Sequence, residues 1–130
     1  MKKIFLGRNL ASCSSDGSCK IWETSSASVV SEPISGGLGA LTTCLIVHVS
    51  HTDNNFDPQK FFLAGNEAVF VGSEEGHLSL THVTTEEILL QRRHTAAIND
   101  ATLSNRHILA GCEDGSVIIV ALDSLEVYFQ

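Results

Sequence analysis

The sequence is short of cations: 8 Lys and Arg stand against 15 Asp and Glu, a formal charge of −7. Apart from Lys2-Lys3 and Arg92-Arg93 the basic residues are scattered. Holding phosphates needs clustered cations, so direct DNA binding is not expected and a partner with a basic face is easier to accommodate. Aromatic residues are also few, with one Trp, one Tyr and six Phe. Most of them lie on core-patterned strands. A small-molecule or nucleic-acid binding module on an all-β fold, the alternative reading of the chain, is therefore poorly supplied with stacking surfaces. With two prolines and no long polar tract, the chain has little room for a linker, and residues 1–130 read as one folded unit.

Long apolar runs are missing too. None reaches the 18 or so residues needed to cross a membrane as a helix, so no membrane association is expected. At the start, MKKIFLGRNLAS has an apolar run of only three residues before Gly7 and Arg8, too short for a signal peptide, which predicts a cytoplasmic or nuclear protein. The four cysteines, Cys13, Cys19, Cys44 and Cys112, never form the two-residue-spaced pair of zinc or redox motifs. They read as small buried hydrophobes in a reducing compartment rather than as disulfides.

Signatures of chemistry are absent as well. No serine sits in a G-x-S-x-G elbow, and no cysteine lies beside a histidine at a helix start. The run Gly36-Gly37-Leu38-Gly39 lacks the Lys-Ser or Lys-Thr of a phosphate loop and reads as a flexible crossing between two structural repeats. Among the six histidines, His48 with His51 and His77 with His82 are the imaginable ligand pairs. On a strand, however, His48 and His51 point to opposite faces. No catalytic residue, cofactor or metal is expected, and the chain does not read as an enzyme.

What is present is a repeat. Three segments share one pattern: LASCSSDGSCKIWE at 10–23, FVGSEEGHLSLTHV at 70–83 and ILAGCEDGSVIIVA at 108–121. In each, an apolar run leads into an acidic-Gly turn, and an alternating strand leads out. Such a turn, at Asp16-Gly17, Glu75-Gly76 and Asp114-Gly115, predicts a β-hairpin because glycine accepts positive φ. Gly76 and Gly115 are 39 residues apart, near the roughly 40–45 of a four-stranded propeller blade. Gly17 and Gly76 are 59 apart, which implies an insertion of about 20 residues on the same repeat length. Asp, Asn and Pro cluster in HTDNNFDPQ at 51–59, so the insertion is placed there, as an exposed loop. Further strands are expected at 28–34, 43–49, 88–92, 98–103 and 127–129. Residues 84–93 could cap a helix, but the repeat register favours a turn and an outer strand.

The segment 10–23 resembles a repeat of the WD-repeat β-propeller family. That family places a hydroxyl on the second strand, Asp in the tight turn and Trp-Asp at the end of the third strand, and it opens with Gly-His. Ser12, Asp16 and Trp22 match, with Glu23 in place of the last Asp. In the third repeat His94 and Asp114 match, while Ala110 and Val120 replace the hydroxyl and the indole. In the second, Glu75 and Thr81 replace Asp and Trp. The resemblance implies a structural polar network of Ser12, Asp16, Trp22, His94 and Asp114, in which indole N–H, hydroxyl, imidazole and carboxylate satisfy one another away from water.

It also implies an all-β fold of about three four-stranded antiparallel blades forming an incomplete ring. The first blade is expected over about 1–36, the second over about 37–93 with its insertion near 51–59, and the third over about 94–130. The implied role is a non-enzymatic scaffold for protein–protein interaction. Because propellers close with about four to eight blades, the expected partners are other proteins, or a second copy in a homodimer that completes the ring. A fainter likeness, carried by the Cys-Lys-Ile-Trp strand and the Gly-Ser-Glu-Glu-Gly turn, is to WD subunits of nuclear complexes that mature the large ribosomal subunit. The ending DSLEVYFQ reads equally as the outer strand of the third repeat and as a likeness to a viral protease recognition sequence.

Overall fold

A computed structural model describes residues 9–49 and 67–130, and the backbone of 2–6. The expected insertion at 51–59 lies outside the described residues. Among the described residues twelve strands follow one another: β1 (Lys2–Leu6), β2 (Asn9–Cys13), β3 (Cys19–Glu23), β4 (Ser28–Ile34), β5 (Leu41–His48), β6 (Glu67–Ser73), β7 (His77–His82), β8 (Ile88–Arg93), β9 (Ile98–Ser104), β10 (His107–Cys112), β11 (Val117–Ala121) and β12 (Glu126–Phe129). They form three four-stranded sheets, β1–β4, β5–β8 and β9–β12, each an antiparallel meander. Among the described residues there is no helix. The segment with helix-capping character ends in strand β8, as the repeat register requires.

The three acidic-Gly turns have one geometry. Gly17, Gly76 and Gly115 adopt φ of 88°, 89° and 87°. Each donates its N–H to the carbonyl three residues earlier, Ser14, Ser73 and Cys112, at 3.1 Å. Ser14 and Cys112 also donate to the carbonyls of Ser18 and Ser116. This is a three-residue hairpin loop, in which a turn is closed by one residue in the left-handed region, where glycine has no Cβ to clash.

Sheet stacking sets the burial pattern. Strand β5 lies against β1 and β2, and β9 against β5 and β6, so the first strands of the three sheets gather on one side. The fourth strands, β4, β8 and β12, lie outermost and are mostly exposed. One apolar core sits between the first two sheets and includes Ala11, Cys13, Cys19 and Ile21 against Cys44, Ile46, Val69 and Val71. The other sits between the last two, with Phe70, Leu78 and Leu80 against Ile108, Ala110, Ile118 and Val120. The middle sheet is thus covered on both faces, and β6 and β7 are buried almost without interruption. In the third sheet, covered on one face, burial along β10 and β11 alternates with the period of two that a strand imposes.

The segments that cross from sheet to sheet also stitch the turns together. Leu41 N–H donates to Ser14 O and Glu74 N–H to Ala40 O. One sheet further on, His94 N–H donates to Gly76 O and Glu113 N–H to Ala97 O. Thr43 Oγ1, fully buried, reaches Asp100 Oδ1 at 3.1 Å, and Thr42 Oγ1 donates to Ile98 O. These bonds pin β5 to β9.

The crossings also distinguish the three turn glycines. A Cβ on Gly76 would lie 2.2 Å from His94 O, whereas one on Gly115 would meet nothing within 4 Å. Gly115→Ala should therefore cost only the left-handed backbone penalty, about 1 kcal/mol. Gly76→Ala should cost about 1–3 kcal/mol beyond that, because the crossing must give way. Urea unfolding of the two variants measures the difference, and equal losses would contradict the docking of the crossing on the turn.

Candidate functional site

The residues of the expected polar network are distributed over two places. On the first sheet, Leu10 and Trp22 are cross-strand partners, as are Ser12 and Lys20. Ser12 and Trp22 therefore share a face, and Trp22 Nε1–H donates to Ser12 Oγ at 2.9 Å. Ser12 is buried and the indole half-buried. In the turn beside them, Asp16 Oδ1 accepts from Ser18 N–H at 2.9 Å and from Ser18 Oγ–H at 2.7 Å. Asp16 is exposed, and the Ser18 hydroxyl, then the Ser18 amide, hold its carboxyl below its ordinary value of 3.8.

On the third sheet the same turn recurs with a histidine added. Asp114 Oδ1 accepts from Ser116 N–H at 3.0 Å and from Ser116 Oγ–H at 2.5 Å. The Ser116 hydroxyl and amide lower the Asp114 carboxyl in the same way, with smaller help from His94. His94, delivered by the crossing between β8 and β9, places Nε2 2.9 Å from Ser116 Oγ and 3.4 Å from Asp114 Oδ2. Its ring stacks on Phe129 of β12, with centroids 5.5 Å apart and planes at 15°. Cys112, at the end of β10, is buried beneath this group, and burial pushes its thiol up.

The structure therefore brings Ser12 to Trp22 and His94 to Asp114, while the carboxylate of Asp16 is taken by Ser18. Ser18 and Ser116 are the partners that sequence reasoning missed. Their signal is the tripeptide Asp-Gly-Ser, present at both 16–18 and 114–116, which sets a hydroxyl two residues beyond the acid. Elsewhere, His82 Nδ1 accepts from Thr85 N–H at 3.2 Å.

A WD domain, G-beta repeat family profile matches residues 5–23. The match covers β2 and β3 with the turn that carries Asp16, so the repeat most like the family is the one that holds the Ser12–Trp22 bond. No curated protein matches the chain. Among solved structures, the computationally designed Ika4 protein is similar at 16% identity and a TM-score of 0.67, over 92% of this chain and 64% of that one. The designed Ika8 protein is similar at 16% identity and a TM-score of 0.69, over 95% of this chain and 33% of that one. The chain thus spans less than two thirds of either protein. At this identity the likeness shows fold alone: stacked antiparallel sheets in the manner of propeller blades.

Two outcomes are expected here. Ser12→Ala should lower stability by about 0.5–1.5 kcal/mol by leaving the indole N–H without its acceptor, and Trp22→Phe in the same background should add little of that loss again in a double-mutant cycle. Because Asp16 is depressed in the folded state, its contribution should be fully present above pH 3.8 and vanish as the pH falls through the lower folded value. The stability difference between the parent and Asp16→Asn, followed by urea unfolding from pH 6 down to about 2, should shrink in that window and not above it.

Proposed function

We propose that the chain is a non-enzymatic scaffold of the WD-repeat type, a single partial propeller unit that binds other proteins. Its three blades would be residues 1–36, 37–93 and 94–130. The observation that supports this is a mismatch between the ends of the stack and its middle. Counting from each turn glycine, the positions six and four before it and two and four after it are Ala11, Cys13, Cys19 and Ile21 in the first sheet and Phe70, Gly72, Leu78 and Leu80 in the second. Both sets are buried against the sheet that follows. In the third sheet the same positions are Leu109, Gly111, Val117 and Ile119, half-buried or exposed.

The opposite face behaves likewise at the other end. Val69, Val71, Ser79 and Thr81 of the second sheet, and Ile108, Ala110, Ile118 and Val120 of the third, are buried against the preceding sheet. Of their four counterparts in the first, Leu10, Lys20 and Trp22 are half-buried and only Ser12 is buried. Each end therefore presents a surface that the fold elsewhere covers with another blade, and apolar area left in water costs about 25 cal/mol for each Å².

A second copy supplies both missing surfaces, with the third sheet of one chain on the first sheet of the other, closing six blades about a two-fold axis. The acidic balance of the chain favours partners with a basic face on the remaining rim. The fainter likeness noted in the sequence extends this reading to a scaffold in assembly of the large ribosomal subunit. Size-exclusion chromatography with light scattering tests the closure. The expected result is a species of twice the 14.0 kDa chain mass that Ile119→Glu converts to monomer while far-UV circular dichroism stays unchanged. A stable soluble monomer of the parent at micromolar concentration would overturn it.

A further inference from the structure

The third turn differs from the other two in what surrounds it. A ring nitrogen of His94, Cys112 Sγ and an Asp114 carboxylate oxygen all lie within 4.8 Å of one another, the group of three such donor atoms found among the described residues. They come from three elements: the crossing before β9, the end of β10 and the turn after it. In the first sheet, Ser14 occupies the position of Cys112, three residues before the turn glycine. In the second, Ser73 does. The crossing that reaches the second turn brings glycine in place of imidazole, since Gly39 approaches Glu75 so closely that a Cβ there would lie 2.8 Å from its carboxyl group. Nitrogen, sulfur and oxygen donors thus converge at the third turn and at neither of the others.

We propose that His94, Cys112 and Asp114 form a binding site for a divalent transition-metal ion, of which zinc best fits the donor set. Imidazole, thiolate and carboxylate together suit a borderline-soft ion that takes four ligands in a tetrahedron. The three side chains supply three of them, and water or the Ser116 hydroxyl the fourth. Zinc–ligand lengths of about 2.0–2.3 Å set donors roughly 3.3–3.8 Å apart. The His94–Asp114 separation of 3.4 Å already meets that, and the cysteine needs only a small movement. His94 is held for the task, because its ring is stacked on Phe129 and its side chain is 13% exposed while that of Asp114 is 45% exposed. The site is therefore anchored on one side and open to solvent on the other, where the region around Gly115 is unobstructed. On binding, the Cys112 thiol gives its proton to solvent and sulfur donates its lone pair to the metal, so uptake releases one proton and weakens as the pH falls. With the metal absent, the same groups remain a hydrogen-bonded cluster around Ser116.

Titration of the purified full chain with cobalt(II) reads the site directly, since cobalt bound to thiolate gives a charge-transfer band in the near ultraviolet. The expected result is saturation at one equivalent per chain, displacement by zinc, and a rise in melting temperature with zinc. Cys112→Ser should abolish the band, and His94→Asn or Asp114→Asn should weaken binding by about tenfold or more. Cys44→Ala should leave both the band and the affinity unchanged, and far-UV circular dichroism of each variant establishes that it folds. Absence of stoichiometric binding by the folded parent, or a band that survives Cys112→Ser, would overturn the proposal.

Discussion

The fold depends on each sheet finding cover for its two faces. A four-stranded meander pairs its backbone internally except along its two edges, but it exposes two faces between which its side chains alternate. Where both surfaces are covered, as in β5–β8, the sequence becomes almost continuously apolar, with Val69, Phe70 and Val71 in succession, all fully buried. Where one is covered, alternation survives: Ile108 and Ala110 are buried while Leu109 between them is not. Sequence pattern, stacking order and interaction surface are consequences of the same geometric requirement.

The crossing segments turn this stacking into a fixed arrangement. Each donates and accepts backbone hydrogen bonds at the turns of the two sheets it joins, as Leu41 to Ser14 and Glu74 to Ala40 do. The buried Thr43 and its neighbour Thr42 reach the next inner strand with their hydroxyls. A sheet cannot slide on its neighbour without breaking several of these at once. The crossing also decides the local chemistry of the turn it reaches. Where it carries Gly39 the acidic side chain lies against backbone, and where it carries His94 a polar group forms around Ser116.

Much of this architecture was legible from local signals. The acidic-Gly dipeptides identified three hairpins because positive φ at one turn position is a backbone demand that glycine alone meets cheaply. The strand at 28–34 was recognisable as a strand-like run spaced between the hairpins, and the turn before β8 from the repeat register. The hairpin joining β9 to β10 was less evident. Its turn residues Asn105 and Arg106 have φ of 46° and 65°, and arginine gives no propensity signal for that conformation. Two contacts compensate, one within the sheet and one across the stack: the Arg106 guanidinium bonds Asp123 Oδ1 at 2.9 Å and His48 O at 2.8 Å. The meeting of Cys112 with His94 was hidden for the same reason. Their proximity is set by where a crossing docks, and no spacing within one repeat encodes it. Of the five network residues, the pairing Ser12–Trp22 follows strand register, His94–Asp114 depends on where the crossing that carries His94 docks, and the Asp16–Ser18 bond is local to its own turn.

The two ends of the stack are chemically unlike, and this bears on how they can be covered. At the first sheet the end face carries Lys20 and the satisfied Ser12–Trp22 pair, a surface that tolerates water because its polar atoms already have partners. At the third sheet the end face carries Leu109, Val117 and Ile119, which gain from burial, and strand register sets Thr102 and Tyr128 on the same face. Two copies of the third face brought together would bury apolar area but leave the first faces unmatched. In the dimer proposed above, pairing third with first would set the apolar stem of Lys20 and the indole of Trp22 on Leu109 and Ile119 with the ammonium at the rim. It also repeats the relation that sheets one and two, and two and three, already have. In the closed dimer we propose, this asymmetry sets the third sheet of one copy on the first sheet of the other. That proposed arrangement covers both end faces with surfaces of the kind that cover the middle sheet.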